Sequence, residues 1–417
     1  MTDIASVARV NVPGGVAVER LVCHPRLPLV AGLDSTRPAV HIWNCAAGEM
    51  TRLATIGAQS DPYGDLQGWD RPTPSVSWHP YEPSLAMTIP GRVLRWTQAQ
   101  SATAPAAESD YDHVAFSPDG ATLWAWPSRT EERGDWERSD AIDLSTGEVR
   151  SGRGWDTGIV EHPAGELVAT YNSDQGATLM LFARAGDKSV PPRFLRRALI
   201  IDVDGYEAPV FSSDGRRFAI RGNAYAETLA IYEFPTLRLA LTTTLGEHGS
   251  GRPEDGGRPD ASPDWSRHNI AFDARPGVLW IGRPDGTLLE LDLDLDEELA
   301  TQHDLLNGSP VTALSTLATG ELVVATGAGG VVLLTMPGTT PPSPPDRVAM
   351  ADAVRAFLDS TSEVPDDDTD LEPHLVLTDG ERTWEQDELD TVTEATSADP
   401  TWLQIQATMN KLRAQDG

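Results

Sequence analysis

Three histidines of this sequence, His24, His79 and His162, each stand directly before a proline. Imidazole is the commonest protein ligand for a metal ion, and a catalytic zinc takes three if they converge on it. The two cysteines, Cys23 and Cys45, fit neither a metal spacing nor a disulfide framework and read as reduced thiols. LDLDLDEE, from Leu291, resembles the opening of a calcium loop. However, Glu297 stands where that loop needs Gly, and His303 where it needs its bidentate Glu. Strict Asp/Leu alternation instead describes a strand with its acids facing water. Nucleophile elbow, phosphate-binding loop and zinc-protease helix are all missing. What remains is recognition chemistry. Trp-x-Arg occurs as Trp69/Arg71, Trp136/Arg138 and Trp265/Arg267, each with an acid beside the Trp. Trp and Arg are the residue types that dominate binding hot spots.

The meaning of these residues depends on the elements that hold them. Seven segments share one layout of apolar strand, turn-rich tetrapeptide, second strand, turn and third strand. They begin RLVCHPRLPLVAG, SVSWHPYEPSLAM, HVAFSPDGATLWAW, IVEHPAGELVATY, PVFSSDGRRFAI, NIAFDARPGVLWIG and VTALSTLATGELVVA. Aligned on Cys23, Trp78, Phe116, Glu161, Phe211, Phe272 and Leu314, they are spaced 55, 38, 45, 50, 61 and 42 residues apart. A four-stranded unit of ~40–45 residues with insertions fits these spacings. Apolar residues alternate in most third strands, Gly, Pro, Asp and Asn fall at the junctions, and helical periodicity is absent before residue ~340.

AFSPDGATLW, VFSSDGRRFAI and RPDGTLLELD resemble WD40-type repeats, and VHIWNCAAGE is similar to that family's Trp-Asp strand ending. The resemblance covers residues 1 to ~338 and implies an all-β, seven-bladed β-propeller. Departures are evident. Asn44 follows Trp43 where the family has Asp, and the family's Gly-His pair is traceable only near Gly246-Glu247-His248 and His303. Blades lacking the His–Asp network should rely mainly on apolar packing. In such a ring the three His-Pro histidines fall in separate blades, so they are expected to be turn residues, not one metal site. After the seventh repeat, PGTTPPSPPD cannot supply a fourth strand, because proline lacks the N–H. The alternating N-terminal segment IASVARVNV is predicted to be the outer strand of the last blade and to close the ring.

These readings divide the chain into a propeller (1–338), a Pro-rich linker (339–346) and an acidic tail (347–417). Residues 346–417 hold 18 acids against five bases. The tail is expected to form a helix from Arg347 to Asp359, with Val348, Ala351, Val354 and Phe357/Leu358 on one stripe. A second helix should follow Asp399-Pro400, with Trp402, Ile405, Met409 and Leu412 on one side. HLVLTDGERTW suggests a hairpin around Asp379-Gly380, and SEVPDDDTDLEP a flexible stretch. Each apolar stripe must pack on the propeller rim or on a partner.

The three Trp-x-Arg copies fall in the long insertions: the connections between blades one and two and between five and six, and a loop inside blade three. Connections of these types share one face of a propeller. Each Trp either staples its loop to the blade or contributes, with its Arg, to a contact surface. With 63 acids against 32 bases, net charge −31, the chain repels nucleic acid and anionic membranes. No apolar run reaches the ~18 residues of a membrane span, and no signal peptide is visible, so a soluble cytoplasmic protein is expected. Arg outnumbers Lys, which is present only at Lys188 and Lys411, as in the proteins of a GC-rich genome.

The functional expectation is a non-catalytic protein–protein interaction scaffold or adaptor, a monomeric propeller within a hetero-complex, without cofactor or metal. Its expected contact residues are Trp69, Arg71, Trp136, Arg138, Trp265, Arg267 and Trp402, and its partner surface basic or Arg-rich. Alternatives are a propeller hydrolase or lyase with a site at the central channel, and a regulatory subunit of an ATPase or protease. A convergent His/Arg/Glu cluster with shifted pKa values at the channel mouth would favour the enzyme.

Overall fold

The computed structural model describes residues 4–66, 71–99, 102–107, 110–129, 138–174, 177–185, 191–202, 207–222, 227–246, 265–295, 300–336, 338, 344–365 and 371–416. Seven antiparallel sheets of four strands form a β-propeller, one of them extended to six strands by the tail. From blade one to blade seven the first strands are Val18–Cys23, Val76–Trp78, His113–Phe116, Asp156–Glu161, Val210–Phe211, Ile270–Phe272 and Val311–Thr316. These strands line the axis. Alternate residues of the strands behind them fill the spaces between blades, where Trp43, Trp96, Trp124 and Trp280 are fully buried. The ring closes as expected. Ala5–Asn11 pairs antiparallel with Gly330–Thr335, from Ala5 opposite Thr335 to Asn11 opposite Gly330.

The His-Pro histidines sit in the turns after the first strands and join one blade to the next. His24 Nδ1 accepts from the Arg26 and Leu27 amides at 3.0 and 3.1 Å, and its Nε2 donates to the Glu82 carbonyl at 2.9 Å. His162 repeats the pattern, accepting from the Ala164 amide at 3.1 Å and donating to the Gly215 carbonyl at 3.0 Å. His79 accepts from the Tyr81 and Glu82 amides and reaches Gly120. Gly120 and Gly215 adopt φ of +74° and +65°. A Cβ there would come within 2.1 Å of the His79 ring and 2.5 Å of the His162 ring, so the contact requires glycine.

The expectation of mainly apolar blades is corrected by further polar networks. In blade one, Asp34 accepts from Thr36 at 2.8 Å and meets His41 at 3.3 Å, and His41 also contacts Thr55 at 3.1 Å. In blade three, Asp140 accepts from Tyr111 at 2.7 Å, Ser128 at 2.6 Å and the Arg129 amide at 2.8 Å. In blade six, Asp273 accepts from the Trp280 indole at 2.7 Å and from Arg275 at 2.8 Å, and His303 meets Glu290 at 2.9 Å. Different residue types thus do the work of the sparse Gly-His pairs; Glu247 and His248 lie outside the described residues.

The tail wraps blade four. Helix α1 (Pro344–Asp359) wedges Val354, Phe357 and Leu358 between blades four and five, against Phe182, Leu199 and Phe234. The expected hairpin forms from Val376–Thr378 and Thr383–Trp384. Its first strand adds parallel to the outer strand Arg193–Ile201, covering an edge that would otherwise be open to other chains. Helices α2 (Gln386–Leu389) and α3 (Thr401–Asp416) lie on the side facing blade three, with Leu389 and Leu403 in that core.

Four details differ from expectation. Val348 is exposed and Met350 is buried in its place. On α3 the buried face is Leu403, Ala407 and Asn410, whereas Ile405, Met409 and Leu412 face outward. Asn410 decides this orientation, because its amide donates to the Leu389 and Val392 carbonyls at 2.7 and 2.8 Å. The stretch expected to be flexible is anchored at its start. Val364 is buried, and Glu363 pairs with Arg184 at 3.0 Å and Arg193 at 3.1 Å. The Asp/Leu run also leaves its strand after Asp292 and turns, with the Asp294 amide on the Asp292 carboxylate at 3.0 Å.

Candidate functional site at the channel mouth

A cavity of about 1050 Å³ occupies the central channel. At the end where the first strands begin, blades one, five and six contribute Arg20, Glu207, Arg267 and His268 to its wall. Arg20 is the third residue of Val18–Cys23; the other three sit in the connections leading into Val210–Phe211 and Ile270–Phe272. The long connections between blades emerge at this end.

His268 Nδ1 lies 3.7 Å from Glu207 Oε2, and both side chains are about one-fifth exposed, 21% and 23%. Burial drives His268 well below its ordinary value, helped by Arg20, Arg267 and Arg221. Burial raises Glu207 although the same three arginines oppose it. A neutral imidazole therefore faces a carboxyl biased toward its protonated form, a pair able to exchange a proton with a bound molecule. Behind them Arg221 is buried. It pairs with Glu227 and donates to Asn269 Oδ1 at 2.9 Å and the Thr228 carbonyl at 3.2 Å. Asn269 in turn donates to the Gly282 carbonyl at 2.8 Å, so blade five is tied to blade six beside His268.

On the blade-one side Glu19 pairs with Arg71 at 2.7 Å; burial raises its carboxyl, and Arg71 opposes the rise. His113, at the start of the blade-three strand, stacks on Trp126 at 5.8 Å. Burial, aided by Arg20, lowers it to about 4. Below the mouth the channel wall includes Leu21, Val160, Val210, Ile270 and Leu314 together with Ser315 and Thr316. Burial pushes the Cys23 thiol up to about 12, which favours its protonated form. At the far end Glu161 faces channel water but is walled by protein. That confinement raises it to about 7 against the pull of Arg26. Arg347 and Met350 of α1 border the same end.

The expected contact residues separate into four groups. Trp69 and Trp136 lie outside the described residues. Arg71, Arg138 and Trp265 are engaged within the fold. Arg71 holds Glu19, donates to the Ser35 carbonyl at 2.6 Å and lies over Tyr63 at 4.2 Å. Arg138 donates to Ser151 at 2.7 Å. Trp265 packs against the blade-five and blade-six core, its indole so near Gly246 that a Cβ there would be 2.3 Å away. Trp402 is half-buried against the blade-four side of the tail. Arg267 is exposed and faces the mouth. Sequence reasoning missed Arg20, Glu207 and His268. One signal was available: Glu19-Arg20 interrupts an innermost strand, VERLVC, where a charged pair has no packing role.

The fold and this mouth define a seven-bladed β-propeller with a charged channel entrance. No family model matches the sequence, and no curated protein does. Among solved structures, the chain is similar to hydrazine synthase of Kuenenia stuttgartiensis, with a TM-score of 0.50 and 15% identity. The match covers 79% of this chain and 98% of that one. At that identity the likeness is one of fold alone. Among the described residues no helix is long and apolar enough to cross a membrane, and no group of three or more His, Cys, Asp or Glu could hold a metal ion.

Proposed function

We propose that this propeller is a non-catalytic scaffold for protein–protein interaction, working through the face that carries the long insertions. The observation that supports this reading is that two insertions approach one mouth from different blades. Glu19, held by Arg71 of the first, lies within electrostatic range of Glu207, which Arg267 of the second also influences. Long loops around a rigid ring are where recognition is usually built. The tail packs on its own propeller, which leaves this face and the outward stripe of Ile405, Met409 and Leu412 for partners. At long range the −31 charge favours a partner with a basic surface.

The test is cross-linked capture from the native cell with the full chain, with Arg267→Glu, and with Arg52→Glu on the exposed outer strand of blade one as control. The reading expects a set of proteins held by the full chain and the control but lost by Arg267→Glu. Identical sets from all three would overturn it. The Glu207–His268 pair favours a second reading, a hydrolase or lyase acting at the channel. For that reading His268→Gln would abolish a turnover that Arg52→Glu leaves intact.

A further inference from the structure

The arginines around the mouth are not equivalent. Arg71 is committed to Glu19 and the Ser35 carbonyl, and Arg221 to Glu227, Asn269 and Thr228. Arg20 is half-buried and lines the cavity, yet among the described residues its guanidinium makes no hydrogen bond and no ion pair. Its guanidinium acts on Glu207, His268 and His113, residues of three other blades. Arg carries five N–H donors in a rigid fork and is seldom withdrawn from water unless a partner takes them. A fork held open at the mouth of this channel is suited to a planar anion.

The surroundings narrow the class. The cavity of about 1050 Å³ is as large as a site for a small organic molecule. Val160 and Val210, with the more deeply buried Leu21, Ile270 and Leu314 behind the surface, give its wall an apolar stretch against which an organic body can pack, beside Ser315 and Thr316. Glu19 and Glu207 stand at the same mouth, so an anion with two charges would meet two carboxyls, whereas a single charge is balanced by Arg20. Burial raises the Glu207 carboxyl against the pull of Arg20, so it opposes a single bound charge less than an ordinary carboxylate would.

We propose that the channel mouth binds a small organic monocarboxylate, its head held two-pronged by Arg20 and its apolar body lying along the channel past Leu21, Val160, Ile270 and Leu314. The site stands whether or not a protein partner docks on the rim around it. A carboxylate could equally come from a chain terminus, and the assay separates the two sources.

The experiment is titration calorimetry of the full chain with hexanoate, hexanamide, inorganic phosphate, and a free-acid tripeptide of glycine, leucine and valine. Hexanoate should bind one to one, at least about tenfold more tightly than hexanamide, with phosphate failing to displace it. Arg20→Met, which keeps the aliphatic stem, should weaken hexanoate at least about tenfold. Glu207→Gln removes the carboxyl charge and offers an N–H donor, so it should bind hexanoate as tightly as the parent or more so. It also serves if Arg20→Met fails to fold. Absence of hexanoate binding, equal binding by Arg20→Met, loss of binding in Glu207→Gln, or displacement by phosphate would each overturn the proposal. Tighter binding of the tripeptide than of hexanoate would do so as well, assigning the mouth to a chain terminus.

Discussion

Acid should loosen this propeller through the blade-to-blade histidines, and His162 allows the effect to be worked out. Its Nδ1 accepts from the Ala164 amide and its Nε2 donates to the Gly215 carbonyl, so the folded state uses the neutral ring with the proton on Nε2. Phe211 and Phe234 crowd the ring at 5.1 and 4.6 Å. Protonation would turn the acceptor into a second donor facing an N–H. Burial accordingly lowers the group from 6.5 to about 4, with the Gly215 and Asp214 contacts opposing. Between those values the unfolded chain binds a proton that the folded chain does not. Stability is therefore complete above 6.5, declines as pH falls, and stops declining near 4. The full loss is about 3 kcal/mol, of which about 2 kcal/mol is gone by pH 5. With an unfolding entropy of roughly 2 cal/mol/K per residue, that corresponds to about 2 °C in melting temperature for a chain of this length. The assay is calorimetric melting at pH 7.5 and pH 5 of the parent and of His162→Gln, which retains a donor for Gly215 but cannot titrate. The variant should start lower, by about 1–3 kcal/mol for the orphaned Ala164 amide, and lose less on acidification. The comparison cancels the relief of acidic self-repulsion, which both chains share. Equal losses in the two proteins would refute the reasoning.

Removing residues 1–13 takes away the outer strand of blade seven and leaves Gly330–Thr335 as an open edge. The melting temperature should fall for the whole propeller, and an unchanged value would count against closure by this strand. Phe357→Ala should cost about 3–5 kcal/mol, because the ring is fully buried between Phe182 and Phe234. The tail should then become sensitive to brief proteolysis, and a tail as resistant as the parent's would argue that α1 is held by other contacts.

What the sequence revealed and what it concealed follow from the range of each interaction. Ring closure was legible because two local facts, a proline run that cannot pair and an alternating strand at the other terminus, leave one solution. The turn role of His24, His79 and His162 was legible because each sits beside a proline in the same repeat position. Burial on α3 was not legible. Trp402, Ile405, Met409 and Leu412 form the more hydrophobic stripe, yet Ala407 and Asn410 lie on the buried face. Asn410 binds two backbone carbonyls of the preceding segment, a preference no periodicity encodes. Addition of Val376–Thr378 to Arg193–Ile201 depends on a register between segments far apart in the chain.

The mouth was hidden for the same reason, and its gathering of arginines runs against composition. A chain of net −31 predicts a repulsive surface for any anion, and over most of the exterior that inference holds. Field effects beyond ~8–10 Å are screened at physiological salt, however, so affinity in the channel depends on the groups within that radius. There Arg20, Arg71, Arg221 and Arg267 face Glu19, Glu207 and Glu227. Two of the four arginines are fixed in pairs with Glu19 and Glu227. Arg20 and Arg267 both act on Glu207, whose carboxyl burial raises against their pull. Arginines thus gather at the entrance although the protein as a whole is strongly acidic. Net charge therefore sets how a partner approaches, while these few residues set what the channel can hold.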